Sequence, residues 1–549
     1  MNVPANQMNP AVPAAADLTD SELRALAYFA VGVSSEGSNA GRDVSNRLSF
    51  AGRIQNGIMT PVGNSGFSIG TLQIDLGQRP AVATALVDAY QAWAARTQPD
   101  WVLGEAGYAQ TVRDLSRSGR AITADHGRAL DAVVKQRLDQ FLRSDDGIRF
   151  VHERDVAQVE QLMGGVVRTV RQTPLYQRSS MEERAQLMVM MMKLQNQSEN
   201  LWAPRLVRNM TNDSYLEVSD VSRAIDGLRA PSGDQDYIES GRNHAVSGAH
   251  VFNGLRRMDA DNPLHEAWQN VLANPLVDPT AVNEDQARPA LASEYAAVKT
   301  LFLNHAQAPD FLEALDRGTG HAYGRPRAEG RAGATGGLYA SGDDFLVWAR
   351  GGTAYSRIGG RWSALEPSDL TRVRNRDGSV DLNVESNGIR TPVIHADPHA
   401  APLRPVQGNR QGGQQADLLQ ATGLEPNGLL AEARAGVNRL DESFGRRPDD
   451  VSDRLCASLA CLAMQNGMSR IDHVLLSCES QVGRAGANIL IVQGRIDDPA
   501  HLRAHMPTDL AAQTPVRESV ARLQDIGRQM AEAQVSEREP HLAGQRYGA

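Results

Sequence analysis

Residues 65–76 read Ser-Gly-Phe-Ser-Ile-Gly-Thr-Leu-Gln-Ile-Asp-Leu. The segment is rich in β-branched residues, broken by glycines and flanked by loop-forming sequence, which predicts a short hairpin or extended turn. Its surroundings, from residue 17 to about 317, read as helix. Thr19-Asp20-Ser21-Glu22 has the form of a capping box, in which Thr19 caps an orphan N–H and Glu22 reaches back. Leu23, Leu26, Phe29, Ala30 and Val33 then recur at helical spacing. Ala129 to Phe141 carries Leu130, Val133, Val134, Leu138 and Phe141 on one stripe. Glu182 to Leu194 predicts another helix, whose Met188, Met191 and Met192 read as core packing, and Glu294 to Leu315 a further helix or pair. The expected fold class is therefore α+β and mainly helical, with one small β element in the first domain.

Residues 1–16 form a Pro/Ala/Asn tail and 17–317 the helical domain. Residues 318–337 are Gly/Arg/Ala-rich and read as a linker. In 338–384, Phe345-Leu346-Val347-Trp348, Ala354 to Ile358 and Val380 to Val384 are short strand candidates between Gly-Gly and Asp-Gly turns, predicting a small β-meander. Residues 385–416 are Pro-, Gly- and Gln-rich and read as a second linker. From 417 to 535 the pattern predicts a compact α-β-β-α module, followed by a tail at 536–549. Its elements are a helix Asp449–Gln465 with Pro448 at its start and Gly467 at its end, strands Ile471–Ser477 and Asn488–Gln493, and a closing helix Pro515–Ala533.

Charge and composition exclude several classes. The net charge of -9 argues against general nucleic-acid binding. Only three basic residues are lysine (Lys135, Lys193, Lys299), which reads as codon bias. Three cysteines at 456, 461 and 478, without a C-x-x-C, support neither a disulfide framework nor zinc and read as core residues. The N-terminus has no basic-then-apolar pattern, so a chain made in the cytoplasm without a signal peptide is expected. No transmembrane segment is expected either. His265-Glu266 begins like H-E-x-x-H, but position 269 is Gln, so no metal site is expected.

Glu36 falls at the end of the first helix, three residues after Val33 and seven after Phe29. A carboxyl on that apolar stripe is partly desolvated, which raises its pKa and suits a general acid. A helix-terminal Glu followed by Gly66-Phe67-Ser68-Ile69-Gly70 resembles the lysozyme superfamily, with phage-type muramidases the nearest pattern. The resemblance implies Glu36 as the acid and Ser68 as a hydroxyl that holds water or steadies developing positive charge. It also implies Phe67, Thr71 and Gln73 as cleft residues toward substrate. A second carboxylate could be Asp43, at nearly the family distance from Glu36, or Asp75, on the same strand face as Gln73. A retaining enzyme wants the pair about 5 Å apart and an inverting one about 6.5–9.5 Å. A lytic transglycosylase needs no second carboxylate. Neither route uses a cofactor.

The C-terminal module resembles the conserved domain of type IV secretion effectors of Xanthomonas and its relatives, abbreviated XVIPCD. The resemblance rests on Gly445 to Asp450, Arg454 to Ala460, Arg470 to Ser477, Ile491 to Gly494, Asp498 to His501, Thr514 to Val516 and Ser519. It implies that residues 417–535 bind the coupling ATPase of the channel. It further implies an antibacterial toxin secreted into the recipient periplasm, a peptidoglycan substrate, and a cognate periplasmic immunity lipoprotein in the producer. Two alternatives stand beside this reading. Gly66 to Gly70 also fits G-x-S-x-G, so Ser68 could be a lipase nucleophile, although that elbow needs a helix straight after the serine. The helical region could instead be a non-enzymatic effector or binding module.

Overall fold

The computed structural model describes residues 17–404 except 40, 199–200, 229–234, 325–335 and 387. In the C-terminal quarter it describes 426–443, 449–466, 468, 470–477, 486–493, 502–516 and the positions 518, 519, 521–523 and 526. The chain divides into two compact units at residues 405 and 406.

The first unit is built around one helix. The capping box at Thr19 and Glu22 forms as expected and starts the turn Asp20–Ala25. The chain then widens into a π-helix, Leu26–Glu36, in which the Gly37 N–H donates to the Gly32 carbonyl at 2.6 Å. From Leu26 to Ser34 every residue except Tyr28 is buried. A helix apolar on all sides belongs in the interior, and this one is enclosed by the helices Met181–Gln197, Gln235–Arg257 and Leu291–Leu303. The single stripe expected from the 3.6-residue period is thus corrected. In the wider π turn, Glu36 follows Val31 and Gly32 rather than the line of Val33 and Phe29.

A second core, from Leu48 to Val151, gathers Phe67, Ile69, Leu76, Leu86, Tyr90 and Phe141. The helices Pro80–Thr97, Ala132–Leu142 and Asp145–Leu162 supply much of it. Here lies the expected hairpin: strand Phe67–Ile69 pairs with Ile74–Asp75 on one side and with Ser49–Phe50 on the other. The β element is larger than expected. Ser38–Asn39 pairs with Arg42–Asp43, and Gly52–Gln55 with Ile58–Pro61. These strands are short and mostly exposed, so they carry little hydrophobic alternation for a sequence reading to find.

The 338–384 meander is part of the first unit and larger than expected. Five antiparallel strands run in sequential order: His321–Gly324, Gly337–Ser341, Asp344–Trp348, Ala354–Ile358 and Arg361–Leu365. Leu338, Ala340, Phe345 and Val347 enter the helical core. On the opposite face Tyr339, Leu346 and Trp348 pack with Leu370, Leu382 and Ile394. Those residues come from a three-stranded sheet of Leu370–Arg374, Val380–Ser386 and Ile389–Ala396. Period-two alternation buries both faces, so Phe345-Leu346-Val347-Trp348 is continuously apolar. Two linker expectations are corrected: 318–337 opens with a strand, and 385–416 begins with the last strand of the second sheet. Arg404 ties the end of the unit down, with its N–H on the Arg317 carbonyl at 3.2 Å and its Nε 2.9 Å from Asp261 Oδ2.

The second unit has helices Pro426–Ser443 and Asp450–Gln465, then a three-stranded antiparallel sheet and the helix Thr508–Gln513. The strands are His473–Leu476, Asn488–Gln493 and Leu502–Pro507. The α-β-β-α expectation is corrected by two added helices, Pro426–Ser443 and Thr508–Gln513, and the added strand Leu502–Pro507; the closing helix expected at Pro515–Ala533 is helical at its described positions from 516 to 526, and the rest of it lies outside the described residues. Asp449 caps the second helix by accepting from the N–H groups of Val451 and Ser452, so its first helical residue is Asp450 rather than Pro448. Leu429, Val437, Leu455, Leu459, Val474, Ile489 and Ile491 form the core, with Cys456 and Cys461 buried as free thiols. Pro448, Gly467, Cys478, Gly445 to Arg447, Gly494 and Asp498 to His501 lie outside the described residues, as do the 1–16 and 536–549 tails. Among the described residues, no helix is long and apolar enough to cross a membrane.

Candidate functional site

Between the two cores of the first unit lies a cleft of about 1010 Å³. One wall comes from Val62 to Ser65, Gln73 to Asp75 and Arg120; the other comes from Gln158, Gln161, Asn196 to Ser198, Leu201 and Trp202. Amide side chains dominate, with Trp202 and Leu201 supplying apolar surface.

Glu36 is not among the lining residues but is hydrogen-bonded to one of them. Its side chain is 10% exposed, and its Oε1 is 2.6 Å from Lys193 Nζ. Asn196, which lines the cleft, donates from Nδ2 to the same Oε1 at 2.9 Å and to the Leu72 carbonyl at 3.0 Å. Gln158 Nε2 in turn donates to Asn196 Oδ1. Lys193 and Asn196 stand three residues apart on the Met181–Gln197 helix, so they share a face. Gly241 makes room for the ammonium, since a Cβ there would lie 2.4 Å from Lys193 Cε. Burial pushes the Lys193 pKa below its ordinary value, with the Glu36 carboxylate opposing. The carboxyl on an apolar stripe is thus, in the structure, one half of a buried ion pair.

The turn beyond Ser68 is held by a residue that the sequence did not single out. Asp155, 1% exposed, accepts from the Thr71 N–H at 2.9 and 3.0 Å and from the Leu72 N–H at 3.3 Å. Gly70 has φ +87°, and a Cβ there would stand 2.7 Å from Asp155 Oδ1. Only glycine meets both demands at low cost. Burial raises the Asp155 pKa to about 6, against the pull of these N–H bonds.

The remaining sequence-predicted residues divide. Gln73 and Asp75 line the cleft. Gln73 is left-handed at φ 54° and donates from Nε2 to the Gly70 carbonyl at 2.7 Å. Asp75 accepts from the N–H groups of Gly66, Gly77 and Gln78. Burial raises its pKa, with those bonds opposing. Its hydrogen bonds close the hairpin. Asp43 is held elsewhere: Lys299 Nζ is 2.7 Å from its Oδ2, and the Ser45 N–H donates to Oδ1. Burial pushes Asp43 up, but Lys299 and the Ser45 hydrogen bonds together outweigh it and leave the carboxyl below its ordinary value. Ser68 is buried opposite Ser49 and Asp75. Phe67 and Thr71 are each 1% exposed. Phe67 is a core ring and Thr71 packs under the turn, which corrects the expectation that their side chains face substrate. After Ser68 the chain makes a turn and a second strand, so the strand-to-helix elbow of a lipase is not formed there.

In the second unit, resemblance motifs fall on packing positions. Arg454, 2% exposed, donates from Nε to the Ala512 carbonyl at 2.6 Å, and Ser458 donates to that of Ala511 at 3.2 Å. Asp472 pairs with Arg470 at 2.8 Å.

Residues 423–525 match the family model described as X-Tfes, XVIPCD. The chain thus carries the C-terminal domain of a Xanthomonadales-type type IV secretion effector, a domain that works with the secretion machinery. No curated protein matches the chain.

Proposed function

We propose that this effector is antibacterial and that its first unit cleaves the glycan strands of peptidoglycan in recipient cells, as a muramidase or a lytic transglycosylase. Residues 423–525 bring it to the coupling ATPase of the channel, and delivery ends in the recipient periplasm. A producer of such an enzyme needs a periplasmic immunity protein, and a lipoprotein is the form proposed. The observation that carries the reading is the placement of Glu36 at a helix end beside the Phe67–Asp75 hairpin, hydrogen-bonded to Asn196, which lines a large amide-lined cleft. Amide side chains both donate and accept, as acetamido sugars demand. The cleft stands at the upper end of the usual range of about 300–1,000 Å³ for ligand pockets, which leaves room for an oligosaccharide segment.

The chemistry needs no cofactor. A carboxylic acid at Glu36 protonates the glycosidic oxygen as the C1–O bond breaks, and the departing sugar leaves as an alcohol. Water in a hydrolase, or the muramic acid 6-hydroxyl in a transglycosylase, then adds to C1 and gives up its proton to a carboxylate of the site, which in the transglycosylase route restores Glu36 as the acid. Asp75 is the cleft carboxylate available for a hydrolytic route, whereas Asp43 is engaged by Lys299.

Digestion of purified sacculi by the full chain, with mass analysis of the soluble products, tests this reading. Reducing muropeptides are expected from a muramidase and 1,6-anhydro products from a transglycosylase. Intact sacculi at micromolar protein would sink the proposal, and release of fatty acid from phospholipid vesicles would replace it with the lipase alternative.

A further inference from the structure

We propose that Lys193 and Asn196 are positioning residues that pin Glu36 through Oε1 alone, leaving Oε2 as the oxygen that carries the transferable proton. The inference rests on Glu36 being the acid of the proposed glycosidase. Both anchors meet the same oxygen, at 2.6 and 2.9 Å, and among the described residues Oε2 accepts no hydrogen bond. One face of one helix supplies both groups, so their backbone positions are fixed relative to each other. Gln158 and the Leu72 carbonyl fix the Asn196 amide in turn.

The ammonium stabilises the carboxylate formed as the proton leaves Oε2 for the glycosidic oxygen, which strengthens the acid. Removing the ammonium removes that stabilisation of the carboxylate, and its effect is read on the alkaline limb of the pH profile. The surrounding groups leave this effect to Lys193. From the Gln235–Arg257 helix, His244 faces the ammonium with His305 behind it, ring centroids 5.2 Å apart. Burial, then Lys193, lowers His244; burial, then His244, takes His305 down to about 3, so it is neutral across the working range. From the Asp145–Leu162 helix come the neutral Gln158 and Asp155, the latter turned onto Thr71 and Leu72. Asp43, from the short strand Arg42–Asp43, is paired with Lys299.

The test is the pH profile of muropeptide release by the full chain, for wild type, Lys193→Met and Gly241→Ala, with circular dichroism melting of each. Lys193→Met removes the charge, and Gly241→Ala pushes the ammonium off Oε1. In Lys193→Met the alkaline limb is expected to move up by about one pH unit or more, with the maximal rate about ten-fold lower. Gly241→Ala is expected to move the limb in the same direction by less. A uniform loss at every pH with an unmoved limb, in whichever of the two variants folds, overturns the inference and leaves Glu36 as the acid. Inactive wild type, or a fully active Glu36→Gln, overturns both the inference and the glycosidase reading.

Discussion

Glu36→Gln is expected to lower muropeptide release by about 1,000-fold, within the range of about 100- to 10,000-fold that a positioned general acid supplies. Glutamine keeps the shape of the side chain and an oxygen that can accept from Lys193 and Asn196, but it has no proton to give. The swap also leaves the Lys193 ammonium, 2% exposed, without its counter-ion. Some loss of stability follows, because a buried charge depends on its partner. Rates should therefore be compared well below both melting midpoints. A product-release assay on sacculi, normalised to folded protein, checks the effect. A loss of less than ten-fold would place the acid elsewhere. A pure binding module, the non-enzymatic alternative, should release nothing with either side chain.

Asp155→Ala is expected to destabilise the first unit by about 3 kcal/mol at pH 4.5, where this group's contribution is nearly complete, because the N–H groups of Thr71 and Leu72 would be left buried without acceptors, at about 1–3 kcal/mol each. The substitution should also cost activity in the protein that stays folded. The Asp155 bonds hold the Leu72 carbonyl, which holds Asn196, which holds Glu36. The pH dependence has a definite sign. Burial leads the shift and raises the folded-state pKa to about 6, from an ordinary value of 3.8. The contribution of this group is therefore complete below about pH 4 and is lost as pH rises through about 6. Urea unfolding at pH 4.5 and pH 7 should show that loss in wild type, and Asp155→Asn, which cannot titrate, should lack this component. Equal pH dependence in the two would remove Asp155 from the account.

Much of the frame was legible because it rests on local rules. The capping box at Thr19, the hairpin around Ser68 and the helix capped at Asp449 each carry their signal within a few residues. The π-helix does not: a run buried on every side has no polar face to reveal its period, so a 3.6-residue stripe fitted Leu26 to Glu36 although the turns are wider. Of the second sheet only the central strand, at Val380–Val384, was legible; its last strand, Ile389–Ala396, contains Pro392 and several exposed residues and resembles linker by composition. Strand Leu502–Pro507 was missed for a similar reason, since Leu-Arg-Ala-His-Met-Pro alternates weakly.

At the site, Glu36, Gln73 and Asp75 were legible, whereas Lys193, Asn196 and Asp155 were not. Their partners lie far along the chain, and no local spacing announces a contact between residues 36 and 193. One signal was present: the scarcity of lysine. In a chain whose basic residues are nearly all arginine, only three lysines remain. Two of them sit within 2.7 Å of the two carboxylates first considered for catalysis, Glu36 and Asp43. A compact ammonium fits the space beside Gly241 and contacts one oxygen, whereas a planar guanidinium is wider and favours two.

The most direct test of the central claim is a crystal structure of the full-length Glu36→Gln chain with a peptidoglycan tetrasaccharide carrying its stem peptides. The glycan is predicted to lie in the cleft between Gln73 and Trp202, with one glycosidic oxygen within hydrogen-bond reach, about 3 Å, of the residue 36 side chain. A saccharide bound elsewhere, or a cleft left empty at millimolar ligand, would contradict the assignment of this effector as an enzyme that cuts the cell wall.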